Sequence, residues 1–487
     1  MMPRAITLML VPLILTIEVF PSTLTAHPGQ TGKIDRIVVL CNDYDYSLCW
    51  PHLYWEGEIY NYIIKDVTPA YFDQFKESKF LLILGGPLAY DGVGEIVSSL
   101  LSEDEKQYLM SDRDSRIIAV RRDVWTDGQI VVIAAGYDRY DTESTVKDIN
   151  GNGIADALEP IVDQDGDGVS LNIDPNPEVK DLADDRYGAY IREFVDYSLK
   201  YWSRDELQAS LNWFLSWDRK YEILDRIEDH DIPGAALYIL SMIRIEAPEY
   251  FNEYYKLAIA TSITWDNPLY VQEKTTVNDV VGIFRVIAGF NEDGETYYDL
   301  KTMEVELLTE VVGVYFLDPG IFMVDGGVGG FGPKPEELVY LHGKYYTPIH
   351  DTFMTLTIAY MSVPYTLKRT TVLPNMTIRD IETKGGACVV QAYYARCVAA
   401  ALGIPTRYVA GFWKSTYDDE DVGHAFLAYF DDGKWMYGIA SIAFDEPVEE
   451  EMITPEFLSS RGFTKMELMR LNSQAYTYVT IINWEEE

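Results

Sequence analysis

Short, continuous runs of apolar residues recur along the first third of the chain. They cover residues 36–41, 79–84, 116–120 and 129–135, and helical or loop-forming stretches separate them. Fully apolar strands of this length are typical of a parallel sheet that is covered on both faces. The pattern therefore predicts a parallel α/β domain over residues 34–147.

Glycine-rich turns follow two of these runs, at Gly85-Gly86-Pro87 and at residues 136–139. Ligands of α/β domains bind at the carboxyl ends of strands, but no GxGxxG follows a strand, so a dinucleotide site is not indicated. The sheet with these turns is similar to small α/β modules of archaeal and bacterial cell-surface proteins. That resemblance implies a structural module that contacts a cell surface or wall.

Apolar residues in the middle of the chain recur every three or four positions. This spacing, which is typical of amphipathic helices, covers residues 186–202, 206–217, 221–228, 234–245 and 248–260. We therefore predict a mostly helical region over residues 179–345, with its aromatic stripes in the core. The glycine-rich stretch 325–335 lacks Gly-Lys-Ser/Thr, and we interpret it as a loop without a phosphate site.

An alanine-rich segment begins after Gly386 and predicts a helix that starts at Cys388 and ends at Gly403. Three apolar runs follow, at residues 408–413, 423–430 and 435–441, with a turn at 431–434. They predict an antiparallel sheet against which the helix packs. This α+β domain spans residues 346–487, so the whole chain is multidomain.

Cys388 is the first residue of the predicted helix. The unpaired N–H groups and the dipole of a helix start favour an anion, so we expect the pKa of this thiol to be lowered. Cys397 lies nine residues further along, about two and a half turns away, and therefore faces the opposite side of the helix. We expect Cys397 to pack in the core.

This C-terminal run resembles the transglutaminase-like (papain-type thiol) superfamily. The shared pattern is Gly386-x-Cys388 at a helix start, Leu402 to Pro405 with Arg407, and His424-Ala-Phe on a strand. The resemblance covers roughly residues 350–445 and implies a papain-like core in which Cys388 is the nucleophile and His424 the base. Arg407 is expected to brace the junction between the helix and the first strand.

The residue that orients the histidine departs from the family pattern. The family usually places an Asp four residues after the Trp of the third strand, and Ile439 occupies that position here. Pairing across the 431–434 turn sets His424 opposite Ser441, with Tyr437 on the same face. Ser441, Tyr437 and Asp445 are therefore the three candidates for orienting His424.

Residues 148–178 contain eight carboxylates and neither Lys nor Arg. Their spacing fits two twelve-residue calcium loops and resembles thrombospondin type 3 or dockerin repeats, although position 9 of the second loop is Leu171. We expect these loops to bind structural Ca²⁺ and to stiffen a linker between domains. The predicted ligands are Asp148, Asn150, Asn152, Ile154, Asp156, Glu159, Asp163, Asp165, Asp167, Val169 and Asp174.

The formal net charge is −39, which argues against nucleic acid or anionic membrane as partner. Arg4 followed by the apolar run 5–17 predicts a signal peptide over residues 1–26, with an uncleaved N-terminal anchor as the alternative. We therefore expect a secreted or cell-surface protein without other membrane segments. Cys41 and Cys49 lie close enough in sequence to pair.

These patterns predict a secreted cysteine hydrolase, a peptidase or amidase, that acts on protein or peptide substrates through Cys388 and His424. Two alternatives remain open at this point. A lysine amine as second acceptor would make the protein a crosslinking transglutaminase. A thiol domain that has lost its orienting acid would leave a calcium-stiffened adhesion protein that is not an enzyme.

Overall fold

The computed structural model describes residues 34, 36–59, 63–149, 154–163, 169, 182, 186–228, 232–265, 276–313, 333–367, 377–415, 422–439, 444, 446–472 and 477–486. Two sheets lie within these ranges, one near each end of the chain, and most of the helices lie between them. Within the same ranges, every helix is too short or too polar to cross a membrane.

The first sheet has five strands in the order β2-β1-β3-β5-β4. The strands are β1 (Arg36–Leu40), β2 (Ile63–Val67), β3 (Phe80–Leu84), β4 (Arg116–Arg122) and β5 (Ile130–Gly136). Four helices accompany them, together with a 3₁₀ turn at Pro69–Gln74: α1 (Asp43–Ile59), α2 (Val93–Leu100), α3 (Glu103–Ser111) and α4 (Arg139–Ser144). Alternate strand residues belong to two buried clusters, so both faces of the sheet are covered as predicted.

The prediction of an all-parallel sheet was wrong for one strand. β1, β2, β3 and β5 are parallel, but β4 runs antiparallel to β5 at the sheet edge. Only residues 123–129 connect β4 to β5, and a parallel pair requires a crossover of about a dozen residues or more. β2 was not predicted, because its sequence interrupts the apolar residues with Lys65 and Asp66.

The middle of the chain is helical, as its apolar spacing predicts. Its helices are α5 (Glu159–Val162), α6 (Tyr187–Ser198), α7 (Arg204–Ser216), α8 (Lys220–Leu224), α9 (Pro233–Glu246), α10 (Pro248–Phe251), α11 (Tyr255–Thr264), α12 (Val277–Glu292), α13 (Val305–Val312) and α14 (Pro335–Tyr345). One continuous cluster of buried side chains joins one face of the first sheet, these helices and the C-terminal helices. The predicted domain boundaries stay a prediction.

The C-terminal part places α15 (Thr352–Ser362), α16 (Ile378–Lys384) and α17 (Cys388–Ala401) beside a six-stranded sheet. Its order is β11-β10-β6-β7-β8-β9, with antiparallel neighbours throughout. The strands are β6 (Thr406–Ser415), β7 (Val422–Asp431), β8 (Lys434–Ile439), β9 (Val448–Glu449), β10 (Phe463–Asn472) and β11 (Thr477–Glu485); a 3₁₀ turn (Glu450–Met452) and α18 (Pro455–Ser460) precede β10. The predicted helix at Cys388 and the three strands after it are confirmed.

Candidate active site

The glycine pair before Cys388 allows the chain to pass close to the segment that follows α15. The Gly386 N–H donates to the Pro364 carbonyl over 3.0 Å, and the Thr366 N–H donates to the Gly386 carbonyl over 3.0 Å. Gly385 has a φ of +67°, and a Cβ there would lie 2.0 Å from the Pro364 oxygen. Only glycine accommodates both constraints, and the pairing fixes the point at which α17 begins.

Gln391, one turn into α17, binds the residue that follows α15. Its buried amide Nε2 donates to the Val363 carbonyl over 2.8 Å. A buried carbonyl left without a donor would destabilise the fold by about 1–3 kcal/mol. Gln391 therefore holds the end of α15 against the helix that carries Cys388.

The Cys388 thiol lies against strand β7 at Ala425, the residue that follows His424. Burial raises the pKa of Cys388 above its usual value, and the backbone N–H groups of Ala425, Val389 and Cys388 partly oppose this rise by donating to the sulfur. The expected lowering of the pKa was therefore wrong in direction. Desolvation of a side chain that is only 9% exposed outweighs the favourable N–H groups at the helix start.

Among the described residues, Leu427 and Ile439 form the last pair of the β7–β8 ladder. The backbone of Ala425 lies beyond that point, and its N–H group meets the Cys388 sulfur. Its carbonyl accepts a hydrogen bond of 3.1 Å from the Tyr360 hydroxyl. The thiol and the Tyr360 hydroxyl thus both contact the backbone of Ala425.

Tyr360 connects the two predicted catalytic residues, and the sequence analysis missed it. Its hydroxyl lies 3.4 Å from the Cys388 carbonyl oxygen, and its ring centroid lies 6.5 Å from that of His424. Burial first, and then the charge that Cys388 carries as a thiolate, raise the pKa of Tyr360 well above its usual value. The hydroxyl therefore stays protonated and remains a hydrogen-bond donor.

His424 lies on β7 directly opposite Gly411 of β6 and is 8% exposed. Its ring has Trp413 at 6.1 Å and Phe426 at 6.3 Å between centroids. A Cβ at position 411 would lie 2.6 Å from a Leu468 methyl carbon, so glycine is required opposite the histidine. The structure thus places the Cys388 sulfur at the backbone of Ala425, the neighbour of His424 on β7.

The prediction that Tyr437 and Ile439 share a face of the sheet was wrong. A register shift lies between Leu427 and Ala428, where Gly438 adopts a φ of +150°. Past such a bulge the alternation of side chains changes, so Tyr437 and Ile439 belong to buried clusters on opposite faces. The shift changes the pairing offset by one residue between the described parts of β7 and β8.

Tyr437 has a different partner from the one predicted. Its hydroxyl donates to Glu450 over 2.8 Å, and its ring packs against Phe426 at 6.5 Å. The other two candidates, Ser441 and Asp445, lie outside the described residues.

Arg407 belongs to a buried cluster of charged side chains that includes Glu310 and Arg396. Its Nε lies 3.1 Å from Glu310 of α13, and its guanidinium stacks on Trp435 at 3.7 Å. Arg396 of α17 lies 3.6 Å from the same carboxylate. Glu310 thus joins helix α17 and strand β6 to the helical region, in keeping with the bracing role predicted for Arg407.

Six of the eleven predicted calcium ligands lie in the described ranges. The Ile149 N–H donates to the Asp156 carboxylate over 3.0 Å, and the side chains of Ile154 and Val169 are buried in the core. Among the described residues, His, Cys, Asp and Glu form no group of three that could hold a metal ion. Five predicted ligands lie outside these ranges: Asn150, Asn152, Asp165, Asp167 and Asp174.

The four cysteines all lie in the described ranges, and all four are unpaired and buried. The considered Cys41–Cys49 disulfide is therefore not formed. Cys397 is fully buried, as predicted, and hydrogen-bonds with Tyr393. Burial raises the pKa of Cys41 to about 12 and also raises the pKa of Cys49 and Cys397.

Residues 355–437 match the transglutaminase-like superfamily. The matched segment begins within α15, includes Tyr360, Cys388 and His424, and ends at Tyr437. The transglutaminase-like domain thus comprises the helix with the cysteine and the strand with the histidine. No curated protein matches the chain.

Proposed function

We propose that the protein is a secreted cysteine hydrolase, a peptidase or amidase, that acts through Cys388 and His424. One observation carries the proposal. Cys388 is the first residue of helix α17, and its sulfur receives backbone N–H groups, one of them from Ala425, the strand residue next to His424. Such donors can stabilise negative charge on sulfur and on an adjacent oxyanion. The match of residues 355–437 to the transglutaminase-like superfamily supports acyl transfer through a thiol.

In the proposed reaction, His424 takes the proton from the Cys388 thiol as the sulfur attacks an amide carbonyl. Because the pKa of Cys388 is raised, the thiol is neutral at rest. It transfers its proton to His424 when substrate binds. The tetrahedral intermediate collapses as His424 returns the proton to the leaving amine, which leaves a thioester. Water then attacks the thioester, His424 again accepts a proton, and the acid product departs with the thiol restored.

The acceptor in the second step separates hydrolysis from crosslinking. Water gives a peptidase or amidase, whereas a primary amine gives an amide and a transglutaminase. Ser441 and Asp445 are the remaining proposals for orienting His424, because Tyr437 donates its hydroxyl to Glu450. An orienting group fixes the tautomer of the imidazole and can change the rate by orders of magnitude.

An activated ester tests the thiol chemistry without knowledge of the substrate. With p-nitrophenyl acetate, we expect a burst of one nitrophenolate per chain and an acetyl group on the peptide that contains Cys388. Cys388→Ala should abolish both, and His424→Ala should slow both steps, whereas Cys397→Ala serves as the matched control on the same helix. Absence of the Cys388 acetyl group would favour a degenerate domain that binds without catalysis.

A second arm of the experiment identifies the acceptor. Adding a fluorescent primary amine to the acylated protein diverts the acetyl group to the amine if the protein is a transferase. We expect acetate to remain the main product, because we propose a hydrolase. Predominant labelling of the amine would replace the hydrolase proposal with a crosslinking enzyme.

We also propose that residues 148–178 bind Ca²⁺ and stiffen the linker, and that the N-terminal domain contacts a cell surface or wall. The acidic spacing of the two loops supports calcium, and the side chains of Ile154 and Val169 would anchor the loops in the core. Calcium should raise the melting temperature of the secreted chain, and Asp156→Ala should abolish most of that rise. An unchanged melting temperature with calcium would contradict the site.

A further inference from the structure

A pocket of about 380 Å³ opens at the carboxyl edge of the N-terminal sheet, far in sequence from Cys388. The segments that follow β1, β3 and β5 line it, together with the first turns of α1 and α4. The strand order β2-β1-β3 places consecutive connections on opposite sides of β1. The crevice between β1 and β3 is therefore a topological switch point, where open α/β sheets bind ligands.

Glycines allow the backbone to approach closely at the end of β3, beside this pocket. Gly85 has a φ of +124°, and a Cβ there would lie 3.0 Å from an Asp45 carboxylate oxygen. A Cβ at Gly86 would lie 2.7 Å from the Gly136 carbonyl oxygen. The end of β3 thus fits between α1 and β5 and sets the Asp45 carboxylate into the pocket wall.

Asp45 is a buried acid with acceptor capacity to spare. It is 5% exposed and accepts a hydrogen bond of 2.6 Å from Asn42 Nδ2. Burial raises the pKa of Asp45, while Asn42 and the nearby Arg139 partly oppose the rise. A carboxylate offers about four lone-pair directions, so a ligand hydroxyl can donate to it as well.

Exposed tyrosines form the rim of the same pocket. Tyr44, Tyr90 and Tyr137 are 54%, 65% and 45% exposed, and the rings of Tyr44 and Tyr90 meet edge to face with centroids 6.3 Å apart. The Arg139 guanidinium lies 4.9 Å from the Tyr44 ring centroid. Large apolar groups gathered at a cavity mouth are typical of an interaction site, and tyrosine offers both a flat apolar face and a hydroxyl.

These groups together select the chemistry of the ligand. Arg139 already lies on the Tyr44 ring, so a cationic ligand would meet a like charge. Asp45 and Asp138 line the pocket and oppose an anionic ligand. A carboxylate acceptor, a guanidinium donor and flat aromatic faces suit a ring that has both C–H faces and hydroxyl edges. We infer that this pocket binds one ring of a neutral, hydroxyl-rich carbohydrate.

Saturation-transfer NMR on the full chain tests this inference. The probes are the methyl glycosides of glucose, galactose, mannose and N-acetylglucosamine, with glucuronate and glucosamine as charged analogues. We expect saturation of at least one neutral glycoside and weaker signals from both charged sugars. The inference is overturned if every neutral glycoside is silent or if a charged analogue binds more tightly.

Two variants locate the binding. Tyr90→Ala should weaken affinity about five- to tenfold, the size expected for losing one aromatic contact, whereas Tyr108→Ala changes another exposed tyrosine, which does not line the pocket. Asp45→Asn keeps the side-chain shape and should also weaken binding. Equal binding by Tyr90→Ala and wild type would refute the site even if Asp45→Asn fails to fold.

The same titration distinguishes two sources of the ring. A site for glycan chain ends binds a methyl glycoside at least as well as the free reducing sugar, whereas a site for a free monosaccharide prefers the latter. Either preference supports carbohydrate binding. The first preference would suit a module that holds the protein on a glycan surface.

Discussion

Replacing Glu310 by Gln should destabilise the protein strongly. The carboxylate is 7% exposed and lies between Arg396, which is 2% exposed, and Arg407. Glu450 at 3.9 Å and the Trp435 ring still compensate Arg407 when Glu310 is neutral. Arg396 loses the negative charge of Glu310 while it remains buried. Breaking a buried ion pair in this way costs about 3–5 kcal/mol.

Equilibrium unfolding in urea, followed by tryptophan fluorescence, measures this loss. With a slope of about 3 kcal/mol per molar urea, the midpoint should fall by about 1–1.7 M. Glu306→Gln is the matched control, since Glu306 lies one turn earlier on α13, is 60% exposed and pairs with Arg226 at 3.1 Å. That exposed pair should contribute less than about 1 kcal/mol. Equal midpoint shifts in the two variants would refute the argument that burial sets the cost.

Three further outcomes follow from the site. Tyr360→Phe removes the donor to the Ala425 carbonyl; we expect a lower kcat for ester cleavage with unchanged KM, and a change confined to KM would contradict a role beside the thiol. Gly385→Ala introduces a Cβ that clashes at a residue with positive φ, so it should lower the melting temperature far more than Gly294→Ala. Gly294 also has a positive φ, of +72°, but a Cβ there would meet open space. Because burial raises its pKa, Cys388 should be alkylated by iodoacetamide at half its maximal rate only at a pH above the free thiol pKa of about 8.5. Fast labelling at neutral pH would instead indicate a thiolate already paired with imidazolium.

Local signals were sufficient to predict the main elements of the site. The glycine pair, the alanine-rich run and Gly403 mark the two ends of α17 within about fifteen residues of sequence. The turn at 431–434 joins two apolar runs and so predicts the β7–β8 hairpin. Each of these features depends on neighbours in sequence, where capping and turn chemistry act.

Features that depend on distant residues were missed. The direction of β4 depends on the length of its connection to β5, and an apolar run has the same composition in either direction. The shift at Gly438 reverses the face of β8, because one extra residue changes the side-chain alternation. Tyr360 lies 28 residues before Cys388 on a helix with apolar residues on both its buried and its exposed face, such as Leu356 and Met361, so spacing alone does not distinguish it from a core tyrosine.

The pKa of Cys388 shows how position on a helix and burial act against each other. The helix start supplies N–H groups that favour the thiolate, and the sequence places the cysteine there. Helices α15 and α17 and strand β7 then enclose the sulfur, and this desolvation favours the neutral thiol more strongly. A thiol that is neutral at rest needs a base at the moment of attack. If Cys388 is catalytic, His424 must therefore remove its proton as substrate binds, which makes the His424→Ala variant more damaging than it would be for a preformed thiolate.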